Sequence, residues 1–190
     1  DQGLWNQKVI DIDVIEPGQG VDISGPISQN TTWSSALSPY NIVGDVVVQS
    51  GVTLTIESGS EVVYEGSYKI QVQGNIIANG LDADNIIFKS NEQGESSGGT
   101  MLSFSSADLS VSELSYLTMQ DASTAISVGG SLTGVLNVSE LTLDNAQLRT
   151  ESNTGNEVRI HILNGTITNS TIIGAYPNSG GILLEGITAF

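Results

Sequence analysis

Along most of the chain, apolar and polar residues alternate over short runs that end in glycine, asparagine or serine. Val52 to Ile56 alternates strictly, and Val and Ile hold many of the positions that would point to one side. A period of two belongs to a half-buried strand, and β-branched side chains favour that conformation over a helix. The pattern therefore predicts many short strands and no helix.

The runs recur. Residues 45–65 lie over residues 69–89 at an offset of 24 with no gap, matching Val46 to Ile70, Val48 to Val72, Val52 to Ile76, Leu54 to Ala78, Val62 to Ile86 and Tyr64 to Phe88. Each copy holds three runs, which makes a coil with three sides. After a polar insertion at 91–99 the offset returns, with Leu102 and Phe104 over Ile126 and Val128, and Leu117 and Met119 over Leu141 and Leu143. A second polar insertion, 151–157, precedes Val158 to Ile162, whose register reaches Ile182 and Leu184 at an offset of 22. One such coil cannot bury its inward residues alone, whereas stacked coils enclose a continuous core and pair every strand with a neighbour about 4.8 Å away. The 22 glycines suit the corners, where tight or left-handed backbone is needed. The prediction is an all-β fold: a right-handed parallel β-helix of about five coils of roughly 24 residues. A β-sandwich also uses short alternating strands, but the ungapped repeat argues against it.

Three regions follow. Residues 45–190 are read as coils, and 21–44 as an N-terminal cap built on Trp33, Leu37 and Tyr40, because an open solenoid end exposes strand edges. Residues 1–20 hold an alternating run, Val9 to Ile15, followed by Glu16-Pro17-Gly18, and are read as an extension or linker strand with a turn. The chain stops in an apolar register at Ile187-Thr188-Ala189-Phe190, as a piece cut from a larger parent polypeptide would.

Asn30-Thr31-Thr32-Trp33-Ser34, Tyr40 to Gly44, the run GDVVVQSGVTLTIESGSEVVYEG and the run IIFKS together resemble the cap and first coils of right-handed β-helix segments in bacterial secreted and surface proteins, within the pectin-lyase-like fold. The resemblance covers roughly residues 23–90 and implies the fold and an extracytoplasmic setting, secreted or at the cell surface. It implies nothing about chemistry, since the first-coil pattern serves capping.

Charge narrows the partners. Five basic residues against 21 acidic ones give a formal charge of −16, which repels nucleic acid phosphates and anionic bilayers. No apolar run approaches the roughly 18 residues of a membrane span, so neither nucleic acid binding nor membrane insertion is expected. With no cysteine, disulfides and thiolate metal sites are excluded. Calcium is the one candidate ion, at Asp82-Ala83-Asp84-Asn85 or Asp11-Ile12-Asp13, though neither carries the spacing of a calcium loop and no metal site is assigned.

Relatives of this fold that cleave acidic polysaccharides place carboxylates on one outer face. Aligning the first strand of each coil sets Lys69 with Gln71, Ser103, Ser127, Arg159 with His161, and Leu183 outward, which gives no catalytic carboxylate pair. Catalysis is not expected. The candidate ligand-binding residues are Arg149, Arg159 and His161, because an exposed guanidinium can fork to a sugar acid or sulfate and an imidazole can both donate and accept. The plainer reading pairs Arg149 and Arg159 with Glu151 and Glu157. Asn30, Asn137, Asn164 and Asn169 head Asn-x-Ser/Thr sequons in a chain where corners use those residues anyway. Thr53-Leu54-Thr55 and Thr166-Ile167-Thr168 raise the idea of a threonine ladder for ice, but the next coil after Thr53 and Thr55 is expected to hold Ile77 and Asn79, so no ladder forms. The function expected is a non-catalytic extracellular module, adhesin-like stalk or binder of a glycan or other surface ligand. The alternatives are a fragment of a polysaccharide lyase or hydrolase and a purely structural spacer.

Overall fold

The computed structural model describes residues 20–91, 99–105, 109–129, 132, 134–150, 158–173 and 180–189. The chain winds as an all-β parallel solenoid of about six turns, with roughly 24 residues per turn. In chain order the strands are β1 (Val21–Ile27), β2 (Thr31–Trp33), β3 (Tyr40–Val48), β4 (Thr53–Ile56), β5 (Glu61–Tyr64), β6 (Ile70–Val72), β7 (Asn75–Asn79), β8 (Ile86–Ser90), β9 (Thr100–Phe104), β10 (Glu113–Val128), β11 (Gly134–Thr150), β12 (Val158–Thr168), β13 (Thr171–Ile173) and β14 (Gly180–Ala189). All pairings between these strands are parallel.

Three inward columns define three faces. The first runs Val46, Ile70, Leu102, Ile126, Leu148, Ile172. The second runs Trp33, Ile56, Ala78, Leu114, Val138, Ile162, Leu184. The third runs Tyr40, Val62, Phe88, Met119, Leu143, Ile167, Ala189. Within the stack each side chain packs between the same position one turn before and one turn after, and burial falls off toward the last described strand. Ile162 is 0 % exposed, while Leu184, next in its column and on the last described strand, is 38 % exposed.

The turn count exceeds the five expected because residues 21–44 are themselves a stacked turn. Val21 to Ile23 pair with Tyr40 to Ile42, Gly25 to Ile27 with Val46 to Val48, and Thr31 to Trp33 with Leu54 to Ile56. Trp33 and Tyr40 are buried and stack at 4.8 Å, but Leu37, in the 3-10 turn Ser35–Leu37, stays exposed. The extension at 1–20 lies outside the described residues except for Gly20, as do most of the two insertions.

The gap-free offset of 24 holds on the first face and slips on the other two. Leu54 pairs with Ile76 rather than Ala78, and Val62 with Phe88 rather than Ile86. The corner between β6 and β7 is two residues shorter than the one between β3 and β4, and Gly74 makes it possible: a Cβ there would lie 2.2 Å from the Val52 carbonyl oxygen and 2.3 Å from that of Gln49. The turn at Leu81 to Asp84, closed by hydrogen bonds between those two residues, more than returns the lost length before β8, so that the offset of 22 at Leu54–Ile76 becomes 26 at Val62–Phe88.

β10 and β11 are long because they bend round two corners without breaking. The bends fall on residues with left-handed backbone: Tyr116, Glu140 and Asn164 between the second and third faces, Asp121, Asn145 and Asn169 between the third and the first. Asn and Asp tolerate that conformation by bonding locally, whereas other non-glycine residues are held in it at a cost. Here the side chains also bond along the stack, from Asn164 Nδ2 to Glu140 Oε1 at 2.9 Å and from Asn145 Nδ2 to Asp121 Oδ1 at 2.8 Å.

Candidate functional site

The outward positions of the second face form the site. Between the inward residues of the β7, β10, β11 and β12 rungs, two outward columns face solvent. One carries Glu113, Asn137 and His161, with Asn137 paired directly to His161 and Glu113 beside Asn137 by the adjoining Leu114–Val138 pair. The other carries Asn79, Ser115, Ser139 and Leu163. The 3-10 turn Leu109–Val111 stands at the corner before β10, anchored by the buried Leu109, and adds Ser110 to the rim. Together these residues line an open groove of about 620 Å³.

The upper end of the groove is already wired. Asn79 donates from Nδ2 to Glu113 Oε2 at 2.7 Å and accepts at Oδ1 from the Ser115 hydroxyl at 3.1 Å, so Glu113 is oriented by an amide that is itself oriented by a hydroxyl. Behind them, Ser112 is buried and its Oγ accepts from the Ile76 backbone N–H, which fixes the start of β10. At the other end, His161 Nε2 lies 3.0 Å from Glu185 Oε2, which belongs to the next rung. In between, the side chains of Asn137 and Ser139 have no hydrogen-bond partner among the described residues, and Asn137 is exposed while Ser139 is half-buried. The groove thus offers a hydroxyl and amide array with one carboxylate, and no Lys or Arg appears among its described lining residues.

The three residues selected from sequence are divided. His161 lines the groove. Arg159 precedes it on β12, with its backbone paired to Val135 and Gly181 on the same face, while its side chain lies outside the described residues. Arg149 stands on the first face, exposed, between Ser127 and Ile173. The outward row expected on the first face is corrected accordingly: Gln71, Ser103 and Ser127 lead to Arg149, not to Arg159 and His161. The insertion at 151–157 caused the misplacement, because it separates a first-face strand from a second-face strand rather than one coil from the next. Glu151 and Glu157, the partners considered for the arginines, lie outside the described residues.

Sequence reading missed Glu113, Asn137 as a groove residue, Asn79, Ser115 and Ser139. A signal was present: Glu113, Asn137 and His161 follow one another at the repeat spacing, as do Ser115, Ser139 and Leu163. Thr53 and Thr55 start no ladder, as expected, though their partners are Asn75 and Ile77 rather than Ile77 and Asn79; a ladder through Thr166 was missed. Thr118, Thr142, Thr166 and Thr188 form an outward ladder on the third face, where Thr53 and Thr55 play no part. It is one column wide, since the neighbouring outward column reads Gln120, Asp144, Thr168.

Asp82-Ala83-Asp84-Asn85 is an exposed turn whose Asp84 carbonyl accepts from the Ser58 hydroxyl and the Gly59 N–H. Asp11-Ile12-Asp13 lies outside the described residues. Among the described residues no group of three or more His, Cys, Asp or Glu is placed to hold a metal ion, and no helix is long and apolar enough to cross a membrane.

Fold and groove together define a parallel β-solenoid with a cleft of mixed polar and apolar lining running over several rungs of one face. Comparison with protein-family models, with curated proteins and with solved structures returns no match.

Proposed function

We propose that this chain is a non-catalytic module of a bacterial secreted or surface protein, with a pectin-lyase-like right-handed winding, that binds a glycan or another hydroxyl-rich surface ligand in the second-face groove. The observation that carries this reading is the groove itself: outward polar side chains from four successive rungs converge on one open cleft that the strand pairing already forms. Hydrolysis of a glycosidic bond by paired carboxylates asks for two of them within roughly 10 Å across the bond. Glu113 is the only carboxylate among the described lining residues. The resemblance of residues 23–90 to first coils of exported β-helices supports the extracytoplasmic setting.

The test is a glycan-array screen of the chain, with calcium and again with chelator, comparing wild type with an Asn137→Ala/His161→Ala double variant. Saturable binding that the double variant loses is the expected result. Binding that the variant retains moves the ligand off this face, and turnover of any glycan establishes the lyase or hydrolase alternative. Absence of binding across the array leaves a spacer.

A further inference from the structure

The shape of the groove restricts the ligand further, on the understanding that the binding role above holds. Its described lining spans four rungs, Asn79, Glu113 to Ser115, Asn137 to Ser139, and His161 to Leu163, but only two outward columns. Rungs are about 4.8 Å apart and outward columns about 7 Å apart, so the cleft is about 14 Å long parallel to the solenoid axis and half that along the strands. A linear ligand therefore lies along the axis, crossing the strands, and meets an identical backbone spacing at each step.

The side chains set the chemistry. Asn137 and Ser139 on the central rung offer uncommitted amide and hydroxyl groups. Glu113 already accepts from Asn79, and His161 already faces Glu185. A sugar acid would bring a carboxylate toward Glu113 and Glu185, in the field of a chain of charge −16. A neutral chain of hydroxyls has donors for the carboxylate and both donors and acceptors for the amide. We infer that the groove binds an uncharged, extended polysaccharide running parallel to the solenoid axis, and rejects polymers of sugar acids.

Native affinity electrophoresis tests this on the full chain, with a soluble mixed-linkage β-glucan, xylan and galactomannan as neutral polymers, polygalacturonate as the anionic one and chitosan as the cationic one. At least one neutral polymer is expected to retard the chain, unchanged by 0.5 M salt on the order of the screening that removes exposed charge contacts. Asn137→Ala should weaken that retardation about fivefold to tenfold, the worth of one or two neutral hydrogen bonds. Glu113→Gln, which keeps the shape and exchanges a charged acceptor for a neutral one, should weaken it by a similar factor. A series of neutral oligosaccharides should gain affinity until they span about 14 Å and then level off. Retardation by polygalacturonate or by chitosan alone, lost in Asn137→Ala, keeps the binding role and overturns the inference. Retardation by no polymer overturns both. Circular dichroism of each variant separates loss of contact from loss of fold.

Discussion

Asn145 donates from Nδ2 to the Asp121 carboxylate over 2.8 Å, and both residues hold the left-handed backbone of the same corner on successive turns. The bond does two jobs. It satisfies side chains that would otherwise compete for local backbone groups, and it ties a strained conformation in one turn to the identical one in the next.

Replacing Asn145 separates these contributions. Asn145→Ala loses the bond and leaves a Cβ-bearing residue without local compensation in a conformation that costs roughly 1–2 kcal/mol. Asn145→Gly loses the bond but relieves the backbone. Alanine should therefore destabilise more than glycine, and the gap should appear as a difference in Tm of about 2–4 °C per kcal/mol for a domain of this size. Equal melting temperatures for the two variants would show that the corner carries no backbone strain.

Gly74 is expected to be intolerant for a different reason. Its φ is not in the left-handed region, but a Cβ would strike two carbonyl oxygens, those of Val52 and Gln49, which belong to the preceding turn. Neither can move without breaking the rung. Gly74→Ala should cost about 2 kcal/mol or more in urea unfolding, whereas Gly51→Ala meets no atom within 4 Å and carries only the penalty of its φ of +78°.

Alkaline pH should weaken the fold. Burial raises the ionisation of Tyr64 well above the ordinary 10.0, and Tyr40 is raised by burial against the opposing effect of its bond to the Ser34 carbonyl. Both phenols then ionise first in the unfolded chain, so their contribution is intact below about pH 10 and is lost as pH climbs from there toward the folded values. Tyr64→Phe should flatten the decline, at a cost near neutrality of about 1 kcal/mol because the Met101 carbonyl loses its donor at 2.8 Å. Urea melts at pH 8, 10 and 11 measure it; an identical decline in the variant refutes the assignment to Tyr64.

Arg149→Ala should leave ligand binding unchanged. Its strand pairs with Ser127 and Ile173 on the first face, whereas Asn137 and His161 line the second. Titration of the two single variants Arg149→Ala and His161→Ala against the same glycan decides the matter, and a loss confined to Arg149→Ala would move the site to the other face.

The architecture was legible because burial is periodic: Val46 over Ile70, and Leu102 over Ile126, are apolar on apolar at the repeat spacing. The slips on the second and third faces were not, and the reason is parity. A shift of two residues returns every side chain to the same side of the sheet, so Leu54 looks equally at home over Ala78 or Ile76. Hydrophobicity cannot count by twos. The candidate site suffered more, since His161 was visible as a lone histidine but its neighbours Asn137 and Ser139 have no chemistry that stands out until they share a face. Arg149 and Arg159 looked adjacent for the opposite reason, being close in sequence across a corner that sends them to different faces.

Ile70 keeps its place beside Leu102 although an extra segment separates β8 from β9. The ladder reads its next strand by side-chain fit and backbone bonding, not by how much chain intervenes. Foreign peptide, an epitope or a small folded unit spliced between β8 and β9 is therefore expected to leave the pitch of the shaft above and below unchanged, which would make the molecule a mounting rail.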